Sequence, residues 1–182
     1  MNFREAKKED IESILEVISH AKEYMKRNNS TQWNENYPNK ETIINDIEKN
    51  SKKKVMTYTK PIASDENEKN EIQKLLCCDF NYNEIYKNIK GKWKTFGNYA
   101  SIHRCAIHKE LRGQGYGSEL FKFAEKLALS KNIRSVRIDT APENETMKHL
   151  FNKNGYEYCG IVFIDGEKIA YEKLLTSNLE YK

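Results

Sequence analysis

The feature of this chain that most restricts its fold is the run Arg112-Gly113-Gln114-Gly115-Tyr116-Gly117. Three glycines fall within five positions of a 182-residue sequence that has 8 glycines and 3 prolines in all. Glycine enters the left-handed region of φ without a Cβ penalty, so the run predicts a tight backbone turn with exposed N–H groups. It lies between Ala100–Ile107, which reads as a strand, and Gly115–Lys131, where Leu120, Ala124 and Leu127 recur on one helical face. A strand that turns through glycine into a helix offers unsatisfied amide donors and the positive end of the helix dipole, a combination suited to phosphate. Arg112 adds a fixed charge with two-pronged geometry. A Walker A loop requires Gly-Lys followed by Ser or Thr, which the run lacks, and its GxGxG spacing differs from the GxGxxG of dinucleotide folds.

Periodicity places the other elements. Residues 2–6 read as a short strand, and Ile11, Ile14, Leu15, Ile18 and Met25 form the apolar stripe of a helix that ends near Lys26-Arg27-Asn28-Asn29. A polar link carrying Trp33 and Tyr37-Pro38 leads to a second helix, capped by Asn39, with Ile43, Ile44 and Ile47 facing inward. Lys53–Thr59 and Glu71–Phe80 read as strands joined by a charged loop that includes residues 64–71. Ile133–Thr140 is the next strand, followed by a helix with Met147, Leu150 and Phe151, and by a hairpin of Tyr156–Ile164 and Lys168–Leu174 around the turn signal Asp165-Gly166. No repeat, low-complexity linker or composition break interrupts this order. One α/β or α+β domain over 1–182 is expected, with residues 176–182 as a tail.

Composition excludes several classes. No stretch approaches the roughly 18 apolar residues of a membrane span, and the first eight residues have no apolar signal core, so a cytoplasmic protein without membrane contact is expected. Cys77, Cys78, Cys105 and Cys159 form neither a disulfide framework nor a CxxC pair, so four thiols are expected. His20, His108 and His149 show no metal-ligand spacing, and no metal is expected. The 31 Lys and Arg are interspersed with 27 Asp and Glu for a net charge of +4, which gives no basic face for nucleic acid. Lys90-Gly91-Lys92-Trp93-Lys94 has basic residues around an aromatic, a pattern shared by nucleic-acid contacts and by solvated loops with one anchored Trp.

Ile107–Gly117 resembles the acyl-CoA signature of the GNAT N-acetyltransferase family, (Q/R)-x-x-G-x-(G/A) at the end of a strand, with Arg112, Gly115 and Gly117 at its fixed positions. The similarity continues through the helix, the strand Arg134–Asp139, Asn144 opening a helix, and Leu150-Phe151-Asn152-Lys153-Asn154-Gly155-Tyr156, which is similar to the family's L-Y-E-K-x-G-F. The resemblance implies a single-domain GNAT-like α/β (α+β) fold, with a mixed, mostly antiparallel central sheet flanked by helices. It implies acetyl-CoA as donor, its pyrophosphate on the amides of Gly113, Gln114, Gly115, Tyr116 and Gly117 beside Arg112. Pantetheine would align like an added strand along the backbone of Cys105, Ala106 and Ile107. Asn144 contacts CoA on this reading, or serves only as the N-cap of the fourth helix; Thr140 with Glu143 is an alternative capping box.

Acetyl transfer to an amine needs a neutral nucleophile, a stabilised oxyanion and a proton for the thiolate. An ammonium with a pKa of about 10.4 is charged at neutral pH, so a base or water chain must remove its proton. His103, on the strand implied to face the thioester, is the candidate base; as a structural histidine it would only be hydrogen-bonded within the sheet. The family's usual acid is the Tyr of its motif, a position held here by Phe151, which leaves Tyr156 as the candidate acid among Tyr156, Tyr158 and Tyr171. Trp33 and Tyr37 fall where the resemblance places part of the acceptor site, and are equally suited to be lids of the core. The expected activity is direct transfer from acetyl-CoA to a primary amine of a small molecule or protein, without a covalent enzyme intermediate. The alternative is a non-catalytic CoA-binding or regulatory module, in keeping with Phe151 and with the absence of glycine between Ser51 and Lys90. A homodimer stays open.

Overall fold

The computed structural model describes residues 3–48, 53–59, 72–80 and 86–176. The elements run β1 (Phe3–Glu5), α1 (Ile11–Arg27), α2 (Lys40–Glu48), β2 (Lys53–Thr59), β3 (Ile72–Asp79), β4 (Lys90–Gly91), β5 (Ala100–Ile107), α3 (Tyr116–Ser130), β6 (Ser135–Thr140), α4 (Glu145–Lys153), β7 (Glu157–Phe163) and β8 (Glu167–Leu174). The expected strands and helices are all present, with β2 and β5 at the expected bounds. β4 is an addition: it pairs Gly91 with Gly160 of β7 at the sheet edge. This crossing needs glycine on both sides, since a Cβ on Gly91 would stand 2.2 Å from the Cys159 carbonyl and one on Gly160 2.3 Å from that of Lys90. The charged stretch 64–71 and the tail residues 177–182 lie outside the described residues.

Local chemistry sets the helix ends. Asn39 Oδ1 accepts from the Thr42 N–H at 2.9 Å to cap α2, and Asn29 closes α1 with a left-handed φ of 54°. Asn144 Oδ1 accepts from the Met147 N–H at 3.2 Å, so Asn144 caps α4. The alternative box of Thr140 and Glu143 does not form: the Glu143 carboxylate instead accepts from the Thr31 N–H at 3.0 Å, and the Thr140 hydroxyl donates to Gln32 at 3.0 Å. The hairpin turn spans three residues, Ile164–Gly166, because Phe163 pairs with Glu167.

The strands form one sheet in the order β1-β2-β3-β5-β6-β8-β7-β4, with β5 and β6 its parallel pair and the other neighbours antiparallel. Alternation along β3 divides the core between the two faces. Leu76 and Cys78 join the cluster of α3 and α4, built on Leu120, Phe121, Ala124 and Phe151. Leu75 and Cys77 join the cluster of α1 and α2, built on Ile14, Val17, Ile18 and Ile43. Beyond β6, the segment 86–99 covers that second face with Tyr86, Trp93 and Tyr99 over Cys159, Val162 and Ala170.

An internal ion pair pins segment 86–99. The Arg137 guanidinium lies 4.2 Å from the Trp93 ring and 4.0 Å from the Tyr99 ring, and pairs with Glu172, which is fully buried. Glu172 also accepts from the Lys94 N–H at 2.6 Å and from the Thr95 and Ser135 hydroxyls. Trp93 Nε1 donates to the Tyr86 carbonyl at 2.8 Å. The basic, aromatic segment 90–94 is therefore the short edge strand β4 followed by a loop with an anchored Trp. None of the four cysteines forms a disulfide, and among the described residues no helix is long and apolar enough to cross a membrane.

Candidate functional site

Two features of β5 open a gap in the sheet. Its parallel pairing with β6 is confined to Ala100–Val136 and Ser101–Arg137; beyond these, β5 stays on β3 while β6 stays on β8. The strands diverge toward their carboxyl ends. On the β3 side the register slips, with Leu75 opposite Ala106 but Cys77 opposite His103, so β5 carries one extra residue. Arg104 absorbs that bulge at φ 49°. Its guanidinium forms an ion pair with the buried Asp46 of α2 and donates to the Tyr37 hydroxyl at 2.8 Å.

Two clefts enter the gap. The first, of about 400 Å³, lies between the end of β5, the glycine run, α1 and α4. The second, of about 360 Å³, is lined by Trp33, Tyr37, His103, Asp139 and Asp165, among others. Met25, Cys105, Asn144 and Met147 border both, so the two meet in a single passage between β5 and β6.

In the first cleft, Gly113 and Gly115 have φ of 76° and 84°, and a Cβ on either would meet open space. The pair thus holds a left-handed backbone against an open cradle at the start of α3. That geometry suits an anionic ligand on the backbone amides. Gly117 serves packing instead, since its Cβ would stand 2.8 Å from Leu150 Cδ2 of α4. Tyr116 lies on the Lys74 ammonium, 3.3 Å from its ring centre, and lines the cleft together with Cys105, Ala106 and Ile107. Gln114 does not line it; its side chain donates to the Glu110 carbonyl at 2.8 Å. Arg112 borders the cleft, but its guanidinium donates to the His20 carbonyl and lies 4.8 Å from the Tyr24 ring, so part of its donor capacity is already used.

The second cleft holds His103 and Asp139. His103 Nε2 and Ser101 Oγ are hydrogen-bonded at 2.9 Å. The Tyr86 hydroxyl donates to Asp139 Oδ1 at 2.5 Å, and the Tyr86 ring stacks 6.4 Å from that of His103. Burial raises the Asp139 pKa, with the Tyr86 hydroxyl acting against it. Trp33 is a buried member of the α1 and α2 cluster and also lines the cleft, while Tyr37 lines it from an exposed position.

Tyr156 does not reach the site. It is 2% exposed and packed against Phe121 and Phe151 in the core, it borders neither cleft, and burial pushes its pKa well up. Phe151 is likewise fully buried. Sequence reasoning missed Tyr86 and Gln32. The Gln32 carbonyl accepts from Thr140, the Ala141 N–H and the Asn144 amide, and so straps the link after α1 to the end of β6. A lone Gln in a polar link carries no signal of this. Tyr86 follows a polar stretch without periodicity, and what aims it at Asp139 is the distant anchoring of segment 86–99.

The sequence profile of the acetyltransferase (GNAT) family matches residues 64–156. Streptothricin acetyltransferase of Escherichia coli is 33% identical over 67 residues, and the uncharacterized N-acetyltransferase YesJ of Bacillus subtilis 27% identical over 70. These matches take in 37% of this chain and 38% and 39% of those proteins, well under half of their length. The crystal structure of a GNAT-family acetyltransferase from Streptococcus agalactiae 2603 superposes with a TM-score of 0.80 at 30% identity, covering 97% of this chain and 96% of that one. With the profile spanning the strand, glycine run, helix and strand that build the gap, the chain belongs to the GNAT acetyltransferase family.

Proposed function

We propose that the protein transfers an acetyl group from acetyl-CoA to a primary amine by direct attack. The observation that carries this reading is the passage between β5 and β6, with a glycine cradle at one mouth and proton acceptors at the other, meeting at Cys105 and Asn144. The donor's pyrophosphate rests on the amides at Gly113 and Gly115, and its pantetheine runs along Cys105–Ile107, where β6 has left the β5 edge unpaired. The thioester then sits where the clefts join. Its carbonyl faces backbone N–H groups of β5, which serve the oxyanion without any side chain.

The amine enters by the second cleft and loses its proton to His103, with Asp139 a second acceptor in the same cleft. Attack on the carbonyl carbon forms the C–N bond and breaks the C–S bond, and the proton that the nitrogen loses on becoming an amide goes to the departing CoA thiolate, an adequate leaving group at a thiol pKa of about 8.5. Cys105 borders both clefts and is the one thiol placed to take the acetyl group first, but burial pushes its pKa up to about 12, so it stays protonated and non-nucleophilic at neutral pH. This favours direct attack. Asn144, besides capping α4, borders the thioester position, and Trp33 and Tyr37 line the acceptor's approach.

The test is release of free thiol from acetyl-CoA with a panel of primary amines. Streptothricin, named in one relative, and N-terminal peptides are first choices. Release that depends on the amine is expected. Acetyl-CoA binding without amine-dependent release on a broad panel would favour the non-catalytic module.

A further inference from the structure

Outside both clefts, α1 and the turn after β5 bring Glu16, His20 and His108 together. Each offers one ligand atom, and the three atoms lie within 4.8 Å of one another. Glu16 and His20 stand one helical turn apart on α1, and so share a face. His108 is held opposite them by its N–H, which donates to the Gln73 carbonyl at 2.8 Å, and its ring meets the His20 ring edge-on at 4.5 Å. His20 is 8% exposed, and its Nδ1 is buried without a hydrogen-bond partner. A buried, unsatisfied ring nitrogen costs free energy unless something supplies the missing contact.

We propose that Glu16, His20 and His108 form a binding site for a divalent transition-metal ion of the zinc type. Two imidazoles and one carboxylate are a ligand set for first-row metals, and three protein ligands leave a fourth position for water. Glu16 supplies one negative charge; Glu23 adds to it from α1, while Lys109 opposes it from the turn. The Glu110 N–H approaches His108 Nδ1 at 3.5 Å, a long contact that coordination through Nδ1 replaces, and that coordination through Nε2 forfeits at little cost. The ion would tie α1 to the segment that leads from β5 into the glycine run, where Arg112 already donates to the His20 carbonyl. It braces the donor cleft from outside and takes no part in the transfer. The i,i+4 spacing of Glu16 and His20 was visible in the sequence, but the third ligand comes from a distant element, which is why a search by spacing expects no metal.

The experiment uses the full chain without a histidine tag, stripped by a chelator, and titrated with zinc chloride by calorimetry and with cobalt chloride by visible absorption. One equivalent is expected, with cobalt bands of nitrogen and oxygen ligation. His20→Ala, His108→Ala and Glu16→Gln should each weaken binding by at least about tenfold. Zinc should raise the unfolding temperature of the native chain and not that of the variants. Glu16 is exposed and His108 half-buried, so these two variants keep the test decisive if His20→Ala fails to fold. No saturable uptake up to about 1 mM would overturn the proposal. Unchanged affinity in His108→Ala and Glu16→Gln, or thiolate-to-cobalt absorption from the cysteines, would overturn it equally.

Discussion

His103 and Asp139 share the second cleft, with Tyr86 between them, hydrogen-bonded to the carboxylate and stacked near the imidazole. A general base contributes on the order of a hundredfold or more to a rate, so His103→Ala should lower kcat by about that factor and leave the KM for acetyl-CoA nearly unchanged. The acid limb of the kcat/KM profile should vanish with it. Survival of that limb in His103→Ala, with its loss in Asp139→Asn, would move the role to Asp139, whose pKa burial already raises. The place of His103 in the second cleft was legible because it stands on the strand beside the glycine run. Tyr156 misled for the opposite reason: nearness in sequence to the family motif says nothing of which face of the sheet a ring takes, and this ring takes the core.

Elements were the most legible scale, because each carries its own signal: the stripe of α1, the Asn39 cap of α2, and the alternation of β6 through Val136 and Ile138. The divergence of β5 from β6 has no such local signal, since it depends on β6 finding β8 from the far end of the chain. Asn144 joins the two levels by capping α4 while its amide donates to Gln32. Asn144→Ala should lose about 1 kcal/mol of stability, and Asn144→Ser should restore most of it by denaturant unfolding. If the amide also touches the donor, the rise in KM for acetyl-CoA should persist in Asn144→Ser; a KM restored by Ser would reduce Asn144 to a cap. At the start of α1, Asp10 accepts from Arg4 at 2.6 and 2.8 Å and from the Lys7 N–H at 2.7 Å, and the Arg4 hydrogen bond holds its carboxyl below the usual range. Its contribution is therefore present above the unfolded pKa of about 3.9 and is lost as pH falls through the folded value. Asp10→Asn should be less stable than the native chain at neutral pH, and the two unfolding curves should converge in strong acid.

At the scale of the molecule, three apolar clusters hold one sheet, and the ion pair of Arg137 with Glu172 joins segment 86–99 to the strands that carry Asp139. Glu172→Gln leaves the Arg137 charge buried without its counter-ion and should cost about 3 kcal/mol in denaturant unfolding, with Tyr86 shifted off Asp139 and turnover reduced. A loss below about 0.5 kcal/mol would show that the apolar contacts of Trp93 and Tyr99 hold the segment alone. The first cleft was legible from Arg112, Gly115 and Gly117; the second was not, because it assembles from a link, a bulged strand and a loop that no motif ties together. The central claim is that the passage between β5 and β6 is an acetyl-CoA site opened by the glycine cradle. Its most direct measurement is a calorimetric titration of the native chain and of Gly115→Val with acetyl-CoA. Valine at a φ of 84° is strained by about 1–2 kcal/mol and projects into the cradle, so an unfolding curve should confirm that the variant folds. One site per native chain and none in folded Gly115→Val is the predicted result; no saturable binding by the native chain, or equal binding by both, would contradict it.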